Sequence, residues 1–169
     1  SIVSWNWKAG TAFTNDASST GIGSIDSAGS VNTDAGFSIV SYTGTENLQT
    51  VKHGLSTVPS MILFKNRSAS ANWKVYHKSL GATKGLKLDS SDAVFTSAGN
   101  FNNTEPTSSV FTVNTDAGLN GSGNSIISYC FSDVKGYQKS GSFIGNGNAN
   151  GSYTHLGFSP AFLFLKNTA

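Results

Sequence analysis

An internal repeat constrains this chain more than any other feature. Residues 36–66, GFSIVSYTGTENLQTVKHGLSTVPSMILFKN, return in worn form as residues 136–167, GYQKSGSFIGNGNANGSYTHLGFSPAFLFLKN. Aligned from the proline, Pro59-Ser60-Met61-Ile62-Leu63-Phe64-Lys65-Asn66 lies over Pro160-Ala161-Phe162-Leu163-Phe164-Leu165-Lys166-Asn167. In each copy a proline opens an unbroken apolar run that Lys-Asn closes, which reads as a strand covered on both faces. Proline suits the first strand position, where its missing N–H costs least. The repeat reaches further back: SIVSWNW at residues 1–7 resembles SIISYCF at residues 125–131. One β module is therefore expected over 1–124, with a second copy beginning at 125 and running to 169, either as a subdomain of its own or packed into the same sandwich. Because the sequence opens in mid-strand and stops in mid-module, a segment of a longer polypeptide or a processed product is expected. A shorter echo, VNTDAG, stands at both 31–36 and 113–118. It reads as one turn used twice, in which Asn and Asp bond their own backbone and Gly supplies positive φ.

Composition supports short strands joined by polar turns. Charged residues make up 12% of the chain, well below the usual share, and Ser, Thr, Asn and Gly take their place. Aromatics at 11% are too many for a disordered segment. The eleven Lys and Arg are scattered and net charge is +2, so no nucleic-acid footprint is present. No apolar run approaches the length of a membrane-spanning helix, so no membrane insertion is expected. A single cysteine, Cys130, rules out an internal disulfide framework and reads as a small buried hydrophobe.

Strands are expected over 1–8, 37–42, 48–52, 60–65, 73–77, 85–89, 93–95, 109–113 and 125–131, with the polar stretch 9–36 mostly turn chemistry and room for one weak strand. No window carries helical periodicity. The fold class is all-β: an antiparallel β-sandwich, jelly-roll-like, with an internal repeat.

Chemistry is far less legible. His53, His77 and His155 sit among many serines, but none lies in a nucleophile-elbow pattern. Asp89 and Asp92, with Glu105 nearby, are the nearest approach to a glycosidase carboxylate pair, and their Ser-rich surroundings read as a turn. Asp16, Asp26, Asp34 and Asp116 lack the spacing of a calcium loop. No catalytic residue, cofactor or metal is expected. The best ligand-binding candidates are aromatic. Trp5, Trp7 and Trp73 are types that stack on sugars, though alternate aromatics on one strand more often pack a core. The candidate glycan-stacking set is Trp73, Tyr76 and His77, with Trp73 and His77 on one face of their strand and Tyr76 on the other.

Together, SIVSWNWKAG, GFSIVSYTG, HGLSTVPSMILFK, NWKVYHKSLG, EPTSSVFTV, ISYCFSDVKGYQKSGSFIGNG and GFSPAFLFLK resemble a repeat domain of marine bacteriophage virion proteins, over nearly the whole chain. In that family the module recurs in long tail-fibre or other structural proteins. The resemblance implies a non-enzymatic virion structural protein of fibre or particle-surface type, located on the virion and contributing to host-surface attachment. Its implied partners are other virion subunits, as a homo-oligomer, and a host surface glycan. Two further readings are a carbohydrate-binding sandwich module of a secreted protein and a polysaccharide-depolymerising tail domain.

Overall fold

The computed structural model describes residues 6–169; the strand expected over 1–8 falls largely outside the described residues. Eight strands form one antiparallel sheet in the order β1 (Thr11–Asn15), β2 (Ser27–Asn32), β3 (Phe37–Thr43), β10 (Ser125–Phe131), β5 (Met61–Asn66), β6 (Lys74–His77), β7 (Lys84–Lys87) and β8 (Phe95–Thr96). Against one face of it lies a two-stranded sheet of β4 (Gln49–Lys52) and β9 (Val110–Val113). The fold is all-β and sandwich-like, with unequal layers.

Alternation decides what each strand buries. On β3, β10 and β5 the even-numbered residues point inward: Val40, Tyr42, Ile126, Cys130, Ile62 and Phe64 join Val51, Phe111 and Val113 of the small sheet in one core. Phe64 stacks edge-on against Phe111 at 5.3 Å and tilts against Phe101 at 5.8 Å. Burying one such side chain is worth roughly 1.5–3 kcal/mol. The proline run is therefore not covered equally on both faces. Ile62 and Phe64 are wholly buried, whereas Met61, Leu63 and Lys65 are half-buried on the outer face.

The central strand comes from the start of the second repeat. β10 lies between β3 and β5, with Phe131 opposite both Phe37 and Met61, and Tyr129 opposite both Ile39 and Leu63. Residues 125–131 thus share a sheet with the first copy, and the sheet crosses the 124/125 boundary.

The stretch 9–36 holds two paired strands where mostly turn chemistry and one weak strand were expected. Thr11–Asn15 pairs with Ser27–Asn32, which pairs in turn with β3. SAGSVN has weak strand propensity, and tertiary context overrides it. At Gly29 any Cβ would stand 2.1 Å from the Ile39 carbonyl oxygen, so the close approach of β2 to β3 requires glycine. Three single helical turns were also not expected: α1 (Ala17–Thr20), α2 (Ala98–Phe101) and α3 (Ala117–Asn120). Asp16 and Asp116 cap the first and third through backbone N–H groups of Ser19 and Gly118.

The two VNTDAG hexapeptides do not adopt one turn. In the first, Asn32 Oδ1 accepts from Ala35 N at 3.1 Å and Gly36 sits at φ 63°, turning β2 into β3. In the second, Asp116 caps α3, accepts from Gly118 N at 2.8 Å and pairs with Lys74 Nζ at 2.8 Å. Residues 163–169 of the second copy carry no strand assignment.

Candidate functional site

Uncharged amides fasten the loops, which explains why the chain can be polar with so few charges. Wholly buried Asn120 donates to the Asn47 and Asn114 carbonyls at 2.6 and 2.7 Å and accepts from Thr45 N at 3.0 Å. Buried Asn66 donates to the Ala117 carbonyl at 2.9 Å and accepts from Ser68 and Ala69 N–H groups. Each amide has most of its hydrogen-bonding capacity used, as burial demands.

Trp73, Tyr76 and His77 do not converge. Trp73, just before β6, lies half-buried on the outer face of the large sheet, and His77 lies on the same side of its strand at the other end. Tyr76 points the opposite way into the core, 3% exposed, edge-on to Phe101 at 5.7 Å. Its hydroxyl donates to the Glu105 carboxylate, whose other oxygen accepts from Ala82 N at 2.7 Å. Burial, reinforced by Glu105, holds the phenol well above its ordinary range. Tyr76 is a fastening between β6 and the 82–105 region and offers no surface to a sugar; the alternation of β6 carries it inward.

The outer face instead joins Trp73 to Tyr129, ring centroids 6.0 Å apart and inclined by 31°. Lys65 Nζ stands 5.8 Å from the Trp73 ring and is anchored by the Ala71 carbonyl at 2.6 Å. The Trp73 backbone N–H donates to Asp89 Oδ1 at 3.1 Å. The result is a half-exposed aromatic patch flanked by one ammonium, the donor set that can stack a pyranose ring and bond its hydroxyls. Tyr129 was readable from the alternation in SIISYCF, once the buried side of that strand is known.

The other polar candidates act structurally. Asp92 pairs with Lys87 at 2.7 Å. Asp26 accepts from Ala17 N at 2.9 Å beside the Asp16 cap. Among the described residues no group of three His, Cys, Asp or Glu could hold a metal ion. His53 is wholly buried: Leu55 N–H donates to Nδ1 at 3.1 Å, so Nε2 carries the hydrogen and faces the Thr107 carbonyl at 3.1 Å. Burial pushes this ring's pKa down to about 4, against a weaker upward pull from Thr107. Cys130 is wholly buried and burial pushes its thiol up to about 12, which leaves it without thiolate character. An open depression of about 450 Å³ near Asp16, Asp26 and Tyr42 is walled by residues already engaged in caps and strands.

A second surface lies in the second repeat. Within an uncharged Gly/Asn/Ser tract, Phe143, Ile144 and Tyr153 are 53, 89 and 88% exposed. Trp7 sits over the Phe37 and Phe131 rings at 6.0 Å each and also meets Phe162 at 6.0 Å.

The family model for a domain of unknown function, DUF7483, matches residues 1–169. No curated protein and no solved structure matches the chain.

Proposed function

This chain belongs to the DUF7483 family, and we propose that it is a non-enzymatic structural component of a bacteriophage virion, of fibre or particle-surface type, acting through self-assembly and host attachment. The observation that carries the reading is the exposed apolar tract at Phe143, Ile144 and Tyr153. Large apolar side chains left exposed within an uncharged tract mark an association site. A homo-oligomer built on a symmetry axis is the simplest assembly that covers it. The resemblance to virion repeat domains supports the same reading, as does a sandwich whose polar loops are fastened by amides.

The test is the mass and symmetry of the purified chain by light scattering and electron microscopy, repeated with Ile144→Asp and Tyr153→Ser. Oligomers that the variants dissociate support the reading. A monomer at high concentration, unchanged by either variant, overturns self-assembly.

The Trp73–Tyr129–Lys65 patch favours a second reading, recognition of a host surface glycan. A glycan array on the parent chain and on Trp73→Ala tests it. Binding lost in the variant supports recognition there, and binding that persists places it elsewhere.

A further inference from the structure

A protein chain loses an asparagine side-chain amide most readily at Asn-Gly, because glycine puts no side chain between its own backbone nitrogen and the preceding Cγ. The chain holds Asn120-Gly121, Asn146-Gly147 and Asn150-Gly151. As dipeptides they are equivalent for that chemistry, and the fold sets them apart.

Ring closure needs an Asn side chain able to swing over its own backbone, a glycine N–H able to give up its proton, and water. Asn120 meets none of these conditions. It is wholly buried, its amide donates to the Asn47 and Asn114 carbonyls, and its Oδ1 accepts from Thr45 N. The Gly121 N–H donates to the Ala117 carbonyl at 3.2 Å. Asn146 is exposed, but both ends of its amide are held. Nδ2 donates to the Asn150 carbonyl at 2.8 Å and Oδ1 accepts from Asn148 N at 3.1 Å. Asn150 is exposed and is held through its backbone instead. Its N–H donates to Asn148 Oδ1 at 3.1 Å and its carbonyl accepts from Asn146, and neither bond involves its side-chain amide. Gly151 stands in open space, where an added Cβ would meet nothing within 4 Å.

We propose that Asn150 is a modification site, converting spontaneously to aspartate and isoaspartate in the folded chain. The Gly151 nitrogen gives up its proton and bonds to Asn150 Cγ, the Cγ–Nδ2 bond breaks, and the amide nitrogen leaves with a proton as ammonia. Water then opens the cyclic imide. Attack at Cγ gives aspartate, and attack at the main-chain carbonyl carbon gives isoaspartate, with the chain rerouted through Cβ and Cγ. Nothing is oxidised or reduced: an amide and a water become a carboxylate and an ammonium ion.

The product brings negative charge to a tract that has none, since residues 140–165 contain no Asp, Glu, Lys or Arg. Ser152 Oγ donates to the Ile144 carbonyl at 2.7 Å, which sets this part of the tract beside the exposed Ile144 and Tyr153. One consequence rests on reading the tract as an association surface. A carboxylate costs more to dehydrate than an amide, so conversion weakens the contact as the protein ages.

The experiment is a peptide map of the full chain kept at mildly alkaline pH, folded and in urea. It reads the amide-to-acid mass gain and the isoaspartate at each asparagine. In the folded chain Asn150 should convert several-fold faster than Asn146, and Asn120 should stay intact until urea exposes it. Gly151→Ala, for which there is room, should slow Asn150 several-fold. Folded-state conversion of Asn120 or Asn146 as fast as Asn150, an intact Asn150, or a parental rate in Gly151→Ala would overturn the proposal. Light scattering on Asn150→Asp tests the consequence apart from the site. Smaller oligomers than the parent's support the charge effect, and equal oligomers overturn it. A monomeric parent overturns the association reading and leaves conversion to be decided by the peptide map.

Discussion

The two proline runs differ little in sequence and greatly in environment. Met61–Asn66 lies between β10 and β6, with Ile62 and Phe64 wholly buried. Residues 162–167 carry equally apolar side chains that remain 45–64% exposed from Phe162 to Leu165. Apolarity alone therefore does not bury a run; a facing layer of side chains does. The small sheet and α2 supply that layer to the first run through Phe111 and Phe101.

The largest expected contrast is in the core. Phe64→Ala should cost about 3–5 kcal/mol of unfolding free energy, read by denaturant titration, through lost transfer energy and a cavity. Leu165→Ala should stay within about 0.5 kcal/mol, as exposed substitutions do. Comparable losses would break the comparison and give the second run a core of its own.

Next comes pH. His53 precedes the first proline run, buried and neutral, while His155 precedes the second, exposed. The folded chain takes up a proton on His53 only near pH 4, and the unfolded chain near 6.5. Between those values the unfolded state binds more protons, so stability falls as pH drops from about 6.5 to about 4, by roughly 3 kcal/mol in total. Urea titrations across that window should show the slope in the parent chain and not in His53→Gln, whatever stability the variant has lost at pH 7. His155→Gln should leave the melting temperature unchanged.

The run-ending asparagines should differ by less. Asn66→Ala removes three hydrogen bonds at a buried site and should cost about 2 kcal/mol. Asn167 accepts from Ala169 N in an exposed tail, and Asn167→Ala should be silent in the same titration. The smallest contrast lies between the twin hexapeptides. Asp116→Ala loses a cap and the Lys74 pair and should cost about 1 kcal/mol, whereas exposed Asp34→Ala should fall within measurement error.

Those hexapeptides also mark where sequence reading stops. The unbroken apolar run after Pro59 and the recurring SI[VI]S-aromatic pattern at 125–131 marked strands of the sheet centre, but neither string told which side of each strand is buried, because the facing layer that decides it lies far away in sequence. The identical VNTDAG strings give no local hint that one turns a hairpin at positive φ and the other starts a helical turn. The residues beyond each string decide. After Gly36 comes β3, and after Gly118 comes the buried Leu119, whose carbonyl receives the Tyr42 hydroxyl at 2.6 Å. The strands at Thr11–Asn15 and Ser27–Asn32 were equally hidden, since their small polar residues gain order only by pairing with β3. For the candidate patch, Trp73 was visible as a residue type. Its partnership with Tyr129 depends on β10 lying beside β5, which no short stretch encodes.

The placement of β10 also has a consequence for the order of events during synthesis. Its partners are complete by residues 43 and 66, yet the strand that joins them ends at Phe131. Until then β3 and β5 would leave the ribosome with facing edges unsatisfied. Closing loops of that span carries a large entropic penalty before any contact compensates it. Folding should thus be a late, all-at-once event governed by a long-range contact, slow for a domain of this size. Nascent chains halted before residue 125 would expose two adhesive edges at once, and those edges are the natural targets for chaperones and for misassembly between neighbouring copies.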